Sequence, residues 1–139
     1  MRNTDLKFTT AGDYMATRSR IAMKLKDGRY MSIYSHWDGH PGTRGPILTE
    51  HYTDYYSVFA LMNMGDVSSL GVNLADTIFY NRDRSEDLNY AIHESYQNLL
   101  SEYHSDEEYI YIFDDEIGWS VVDTSNMTVA HLEAMEVAA

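Results

Sequence analysis

Five residues near the end of the chain, Tyr109-Ile110-Tyr111-Ile112-Phe113, are β-branched or aromatic at every position. A pleated strand accommodates that composition, with successive side chains on opposite faces. Tyr109, Tyr111 and Phe113 fall on one face, and Ile110 and Ile112 on the other. Both faces therefore need cover, so this strand belongs inside a sheet rather than at a solvated edge. Asp114-Asp115-Glu116-Ile117-Gly118 follows as a loop, and Trp119-Ser120-Val121-Val122-Asp123 as the return strand.

A second hairpin is legible near the start. Ile21, Met23 and Leu25 alternate with Ala22, Lys24 and Lys26; after Asp27-Gly28, Met31, Ile33 and Trp37 alternate with Tyr30, Ser32, Tyr34 and His36. A two-residue turn at Asp27-Gly28 would set Lys24 against Met31 and scramble the apolar face. A three-residue loop, Lys26-Asp27-Gly28 with Gly28 left-handed, opposes Met23 with Met31 and Ile21 with Ile33. That register puts His36 beside Tyr34, on the face opposite Trp37, with Trp37 buried.

Between the hairpins the pattern is helical. Gly45-Pro46 suits a helix start with proline at the first position, and Asp54 can cap the segment that ends at Gly65. Gly65-Asp66-Val67-Ser68-Ser69-Leu70-Gly71 reads as turn material; the segment 72–80 fits either a strand or a buried connection. From Arg84 to Tyr103 a stripe of Leu88, Ile92, Leu99 and Tyr103 has helical spacing, and Asp83 and Glu86 have capping-box spacing. The C-terminal residues suit a short helix with Val129, Leu132 and Met135 inward. The expected fold is α+β: two antiparallel β-hairpins, about 20–37 and 109–122, form one sheet. It packs against a long helix, about 84–103, and shorter helices, about 46–52 and 55–64. A chain of 139 residues fits one domain, expected over 15–139 after an extension at 1–14.

Charge narrows the possible partners. Ten Lys and Arg face 22 Asp and Glu, for a formal net charge of −12. Residues 1–70 are near neutral, whereas residues 71–139 hold only Arg82 and Arg84 against fifteen carboxylates. Such a field repels nucleic acid and attracts basic surfaces. There is no cysteine, which removes disulfides and thiolate chemistry. No segment approaches the length of a membrane span, so a cytoplasmic setting is expected.

The segment His36-Trp37-Asp38-Gly39-His40-Pro41-Gly42 invites a metal reading, since it holds two histidines and an aspartate. Histidines four apart share a face only on a helix, yet Gly39 disfavours a helix and Pro41 drives His40 towards extended geometry. A turn is the favoured reading, with no metal and no cofactor expected. The alternative is a small-ligand pocket lined by Tyr34, His36, Trp37, Asp38 and His40. Elsewhere no serine sits in a nucleophile elbow, and no glycine-rich phosphate loop is present. Asp114-Asp115-Glu116 fits a solvated hairpin tip better than an acid/base pair.

Thr17-Arg18-Ser19-Arg20-Ile21, the run from Asp27 to Gly42, Gly45 to Asp54, and Met64 to Gly71 together resemble a family of small uncharacterised proteins encoded by tailed bacteriophages. The resemblance implies a setting, the cytoplasm of an infected bacterium, and no chemistry. In that setting the chain is expected to be an acidic interaction protein that binds a basic surface of a host enzyme or defence complex, including by partial mimicry of nucleic acid. Glu86, Asp87, Glu94, Glu102, Asp106, Glu107 and Glu108 are the expected partner surface. Twelve tyrosines suit binding too, since tyrosine gives contact area at low entropic cost. A homo-oligomer is compatible with this reading. The competing expectation is a nucleotide-type ligand, or an enzyme acting on one, at the His36–His40 loop.

Overall fold

The computed structural model describes residues 17–103 and 107–133. The expected extension at 1–14 and the C-terminal Met135 lie outside them. The chain forms β1 (Ser19–Lys24), β2 (Tyr30–Ser35), α1 (Pro41–His51), α2 (Tyr55–Asn63), β3 (Val67–Ser69) and β4 (Ile78–Phe79). α3 (Tyr80–Arg84), β5 (Ala91–His93), α4 (Tyr96–Tyr103), β6 (Tyr109–Asp114), β7 (Gly118–Asp123) and β8 (Thr128–His131) follow. The fold is α+β, with one eight-stranded mixed sheet in the order β4-β3-β2-β1-β6-β7-β8 and β5 also paired to β2.

Both hairpins form, and a parallel pairing of β1 with β6 joins them into one sheet. The first has the expected register, Met23 opposite Met31 and Ile21 opposite Ile33. Gly28 takes a φ of 92°, and the Leu25 N–H donates to the Arg29 carbonyl at 2.7 Å to close the three-residue loop. β6 lies between β1 and β7, with Tyr111 and Phe113 buried on one face and Ile110 and Ile112 on the other. One face packs Ile21, Met23, Ile33, Tyr111 and Trp119 against Leu48 of α1 and Val58, Leu61 and Met62 of α2. The other packs Ala22, Ile110, Ile112 and Val122 against Leu99 of α4. The sheet is thus the middle of three layers.

Asp54 caps α2 as expected: its carboxylate accepts the Ser57 N–H at 2.8 Å, and Gly65 follows the helix at a φ of 82°. Four expectations are overturned. α1 starts at Pro41, not Pro46, because extended His40 caps it through Nδ1 and Pro41 occupies the first turn; Pro46 lies inside the helix. Residues 67–69 form β3 rather than a turn, drawn onto the end of β2. The C-terminal residues 128–131 are the exposed strand β8 paired with β7, not a helix, so Val129 points outward and is 56% exposed. Leu132 does pack against the core.

The long helix does not form. Ser85 turns left-handed, at a φ of 58°, and the Asp83 carboxylate accepts the Phe79 N–H instead of capping a helix towards Glu86. Residues 91–93 then pair with Ser32, Met31 and Tyr30. Those pairs satisfy backbone groups of β2 that would otherwise lack partners on that side, a gain that outweighs weak helix propensity. Ser95 restarts the chain as a helix by accepting the Asn98 N–H at 3.1 Å.

Candidate functional site

The His36–His40 loop is braced from below by Arg44, which is 1% exposed. Its guanidinium donates to the Ser35 hydroxyl and to the Trp37 carbonyl, both at 2.7 Å. Burial pushes its pKa down to about 10, so it stays cationic at neutral pH. Gly39 sits so close to β1 that an added Cβ would lie 2.5 Å from the Thr17 carbonyl oxygen, and the Gly39 carbonyl accepts the Tyr111 hydroxyl at 2.6 Å. Asp38 is left-handed at a φ of 58°. His40 caps α1 and meets Tyr109 edge-on, with ring centroids 5.8 Å apart. Asp38, Gly39 and His40 therefore serve the backbone of a turn.

The expected pocket residues divide accordingly. Tyr34, His36 and Trp37 come together, while Asp38 and His40 turn to the packing above. Tyr34 donates its hydroxyl proton to His36 Nδ1 at 2.8 Å, provided the ring carries its own proton on Nε2. His36 and Trp37 lie edge-to-face, with centroids 4.7 Å apart, contrary to the expected opposite faces. The reason is local: the His36 and Trp37 N–H groups donate to consecutive carbonyls, Val67 and Ser68, of β3. Adjacent N–H groups bonded to the same strand break the pleat alternation. Trp37 is also only half-buried.

Asp66 ties this cluster to its neighbours. Its carboxylate accepts the Tyr34 N–H at 2.8 Å, its carbonyl the Tyr80 N–H at 3.2 Å, and its N–H donates to the Asn89 carbonyl at 3.0 Å. Burial raises its pKa, against the lowering effect of the Tyr34 N–H. Burial lowers that of His36, with Arg18 and Arg84 adding to the effect.

A second polar group, missed in the sequence, lies buried on the α4 side of the sheet. Arg20 grips Glu107 through Nε and Nη2 and donates Nη1–H to the Ser32 hydroxyl at 2.9 Å. The Ser32 hydroxyl also meets His93 Nε2 at 2.8 Å, and His93 Nδ1 meets a Glu102 carboxylate oxygen at 2.8 Å. Burial lowers the His93 pKa, opposed by Glu102. The order of contacts is that of a serine-histidine-acid triad. Yet Ser32 is completely buried in mid-strand, and Arg20 holds its other side, so the relay joins β2, β5 and α4 structurally. The alternation of Arg20 with Ile21 was the available signal that β1 carries a buried cation; nothing in the spacing announced His93.

The expected acidic surface is rearranged. Glu86 and Asp87 lie in the extended connection before β5, Glu94 just after it, and Glu108 before β6; all four are exposed. Glu102 is half-exposed with one oxygen on His93. Glu107 is a correction: it is 4% exposed and held by Arg20, so it is a core ion pair. Asp106 lies outside the described residues. Along the same extended segment Leu88, Tyr90 and Ile92 are 49%, 49% and 39% exposed.

Two clefts stand out on the surface of the described residues. One, of about 390 Å³, lies between the hairpin tips, where Lys24 and Lys26 face Asp114, Asp115 and Glu116 and the charges compensate one another. The other, of about 280 Å³, lies beside Trp119 and His131. Among the described residues no three His, Asp or Glu side chains are grouped to hold a metal ion, and no helix is long and apolar enough to cross a membrane. The chain matches no family model, no curated protein and no solved structure.

Proposed function

We propose that this chain is an acidic interaction protein that docks on a basic surface of a host enzyme or defence complex in an infected bacterium, blocking or redirecting it. The observation that carries this reading is the segment from Glu86 to Glu94. There Leu88 and Tyr90, in the connection leading into β5, and Ile92 on β5 itself stand exposed, flanked by Glu86, Asp87 and Glu94. Aromatic and aliphatic anchors inside a charged rim are the usual anatomy of a protein-binding surface. The rim's sign, in a chain of net charge −12, selects a basic partner and steers its approach. The bacteriophage setting rests on the resemblance over Thr17–Gly71.

Mimicry of nucleic acid needs carboxylates repeated along a rod, and the helix expected to carry them is absent. The remaining carboxylates border an apolar strand, which favours a partner with an apolar centre and a basic rim. The test is affinity capture from bacterial lysate with wild type and two variants. Tyr90→Ser/Ile92→Ser and Glu86→Lys/Asp87→Lys/Glu94→Lys should each lose the same captured protein while melting like wild type. Glu102 is left unchanged because His93 depends on it. Undiminished capture by both variants would contradict the proposal.

A further inference from the structure

Six arginines lie among the described residues, in a chain where carboxylates outnumber basic groups by more than two to one. Arg20, Arg29 and Arg82 are paired with Glu107, Asp27 and Asp83, and Arg44 is buried beneath the His36–His40 loop. Arg18 and Arg84 are exposed and form no ion pair among the described residues. These two converge on one place. Arg20 lies opposite Tyr34 in the β1–β2 register, and Arg18, two residues before it, is close enough for its charge to act on Tyr34 and His36. Arg84 comes from α3, where its guanidinium stacks over the Tyr80 ring at 5.3 Å. Asp66 anchors α3 to β2 through its bonds to Tyr80 and Tyr34.

The charges of Arg18 and Arg84 both act on His36, whose ring meets those of Tyr34 and Trp37. Tyr34 engages His36 Nδ1, which leaves Nε2 to meet a ligand, and Trp37 meets His36 edge-on. Of the nearby carboxylates, Asp66 accepts the Tyr34 N–H and Glu107 is neutralised by Arg20; Glu86 and Glu108, whose N–H groups bond the Tyr80 and Arg18 carbonyls, form no ion pair with either arginine among the described residues.

We propose that Arg18 and Arg84, with His36, Tyr34, Tyr80 and Trp37 beside them, bind a phosphate monoester whose sugar also bears a planar base, the chemistry of a mononucleotide. Two guanidiniums match the charge of one phosphate and can each grip it bidentately. The aromatic side chains offer a base the faces and edges that nucleobases stack on. A polynucleotide is disfavoured, because the field of the whole chain repels an extended polyanion far more than one small dianion. This site adjoins the Glu86–Glu94 edge, since the Glu86 N–H donates to the Tyr80 carbonyl, but it does not rest on docking there, and its test needs no protein partner.

The experiment is a titration of the full chain, read by the amide and side-chain NMR signals of Arg18, Tyr34, His36, Tyr80 and Arg84. The probes are adenosine 5′-monophosphate, inorganic phosphate and adenosine. The monophosphate should shift these signals saturably and bind more tightly than either fragment. Arg18→Gln/Arg84→Gln should weaken it by about tenfold or more, with the melting temperature unchanged, since both side chains are exposed. Each single variant should show part of the loss and serves as the readout if the double variant does not fold. The proposal is overturned if roughly 10 mM monophosphate leaves these signals in place, if the arginine variants bind as well as wild type, or if inorganic phosphate binds as tightly as the nucleotide.

Discussion

Glu107→Ala separates a docking carboxylate from a structural one. Glu107 and Arg20 side chains are 5% and 9% exposed, and three contacts of 2.9 to 3.1 Å join them in a bidentate pair. Truncation would strand a guanidinium in the interior with Ser32 as a remaining hydrogen-bond partner. Breaking a buried pair by removing one member costs about 3–5 kcal/mol. For a chain of this size each kcal/mol lowers the melting temperature by about 3–5 °C, so the variant should melt roughly 10–20 °C below wild type. Calorimetry or circular dichroism reads the shift directly. Arg20→Met/Glu107→Leu, which removes both charges and keeps volume, should recover most of the loss. Glu94→Ala, altering an exposed carboxylate, should leave the melting temperature where it is. A Glu107→Ala protein that melts within about 2 °C of wild type would refute the assignment of Glu107 to the core and return it to the partner surface.

The tryptophans should differ in the same assay. Trp119 is 3% exposed, and its Nε1–H donates to the Tyr52 carbonyl at 2.8 Å, so Trp119→Ala should cost about 3–5 kcal/mol. Half-buried Trp37 should cost about half as much; equal losses would contradict their different burial. Acid should expose the role of His93. Burial holds its folded pKa below the ordinary 6.5 despite Glu102, so the unfolded chain takes up the proton first. Its contribution is intact above pH 6.5 and declines as the pH falls from there towards the depressed folded value. Urea midpoints at about pH 7.5 and 5.5 should therefore fall more for wild type than for His93→Gln; identical slopes would remove His93 as a cause.

What could be read in the sequence was the part in which one physical demand dominates. The Tyr109–Phe113 alternation fixes a strand covered on both faces, and the Met23–Met31 register follows from keeping apolar residues on one side of a short loop. Residues 84–103 misled because their helical spacing is genuine but locally weak. The open edge of β2 at Tyr30–Ser32 competes for the same backbone and captures 91–93, a demand no local window contains. The alternation of Ala91, Ile92 and His93 and the capping serine at 95 were the faint local signs. The His36–His40 turn was legible from Gly39 and Pro41; its support was not, because Arg44 was placed ahead of a helix that in fact contains it. Glu107 likewise looked like one more carboxylate in an acidic run until Arg20, 87 residues earlier, was brought against it.

Whether residues 86–94 form the docking edge is decided by amide hydrogen exchange of the protein alone and with its captured partner. Partner binding should slow exchange across 86–94 and in the adjoining Tyr30–Ser32 of β2, leave β8 and the His36–His40 loop unchanged, and lose its effect as salt screens the carboxylate rim. Protection centred on β8 or on the loop, or a complex that leaves 86–94 exchanging as in the free protein, would place docking elsewhere and overturn the proposed edge.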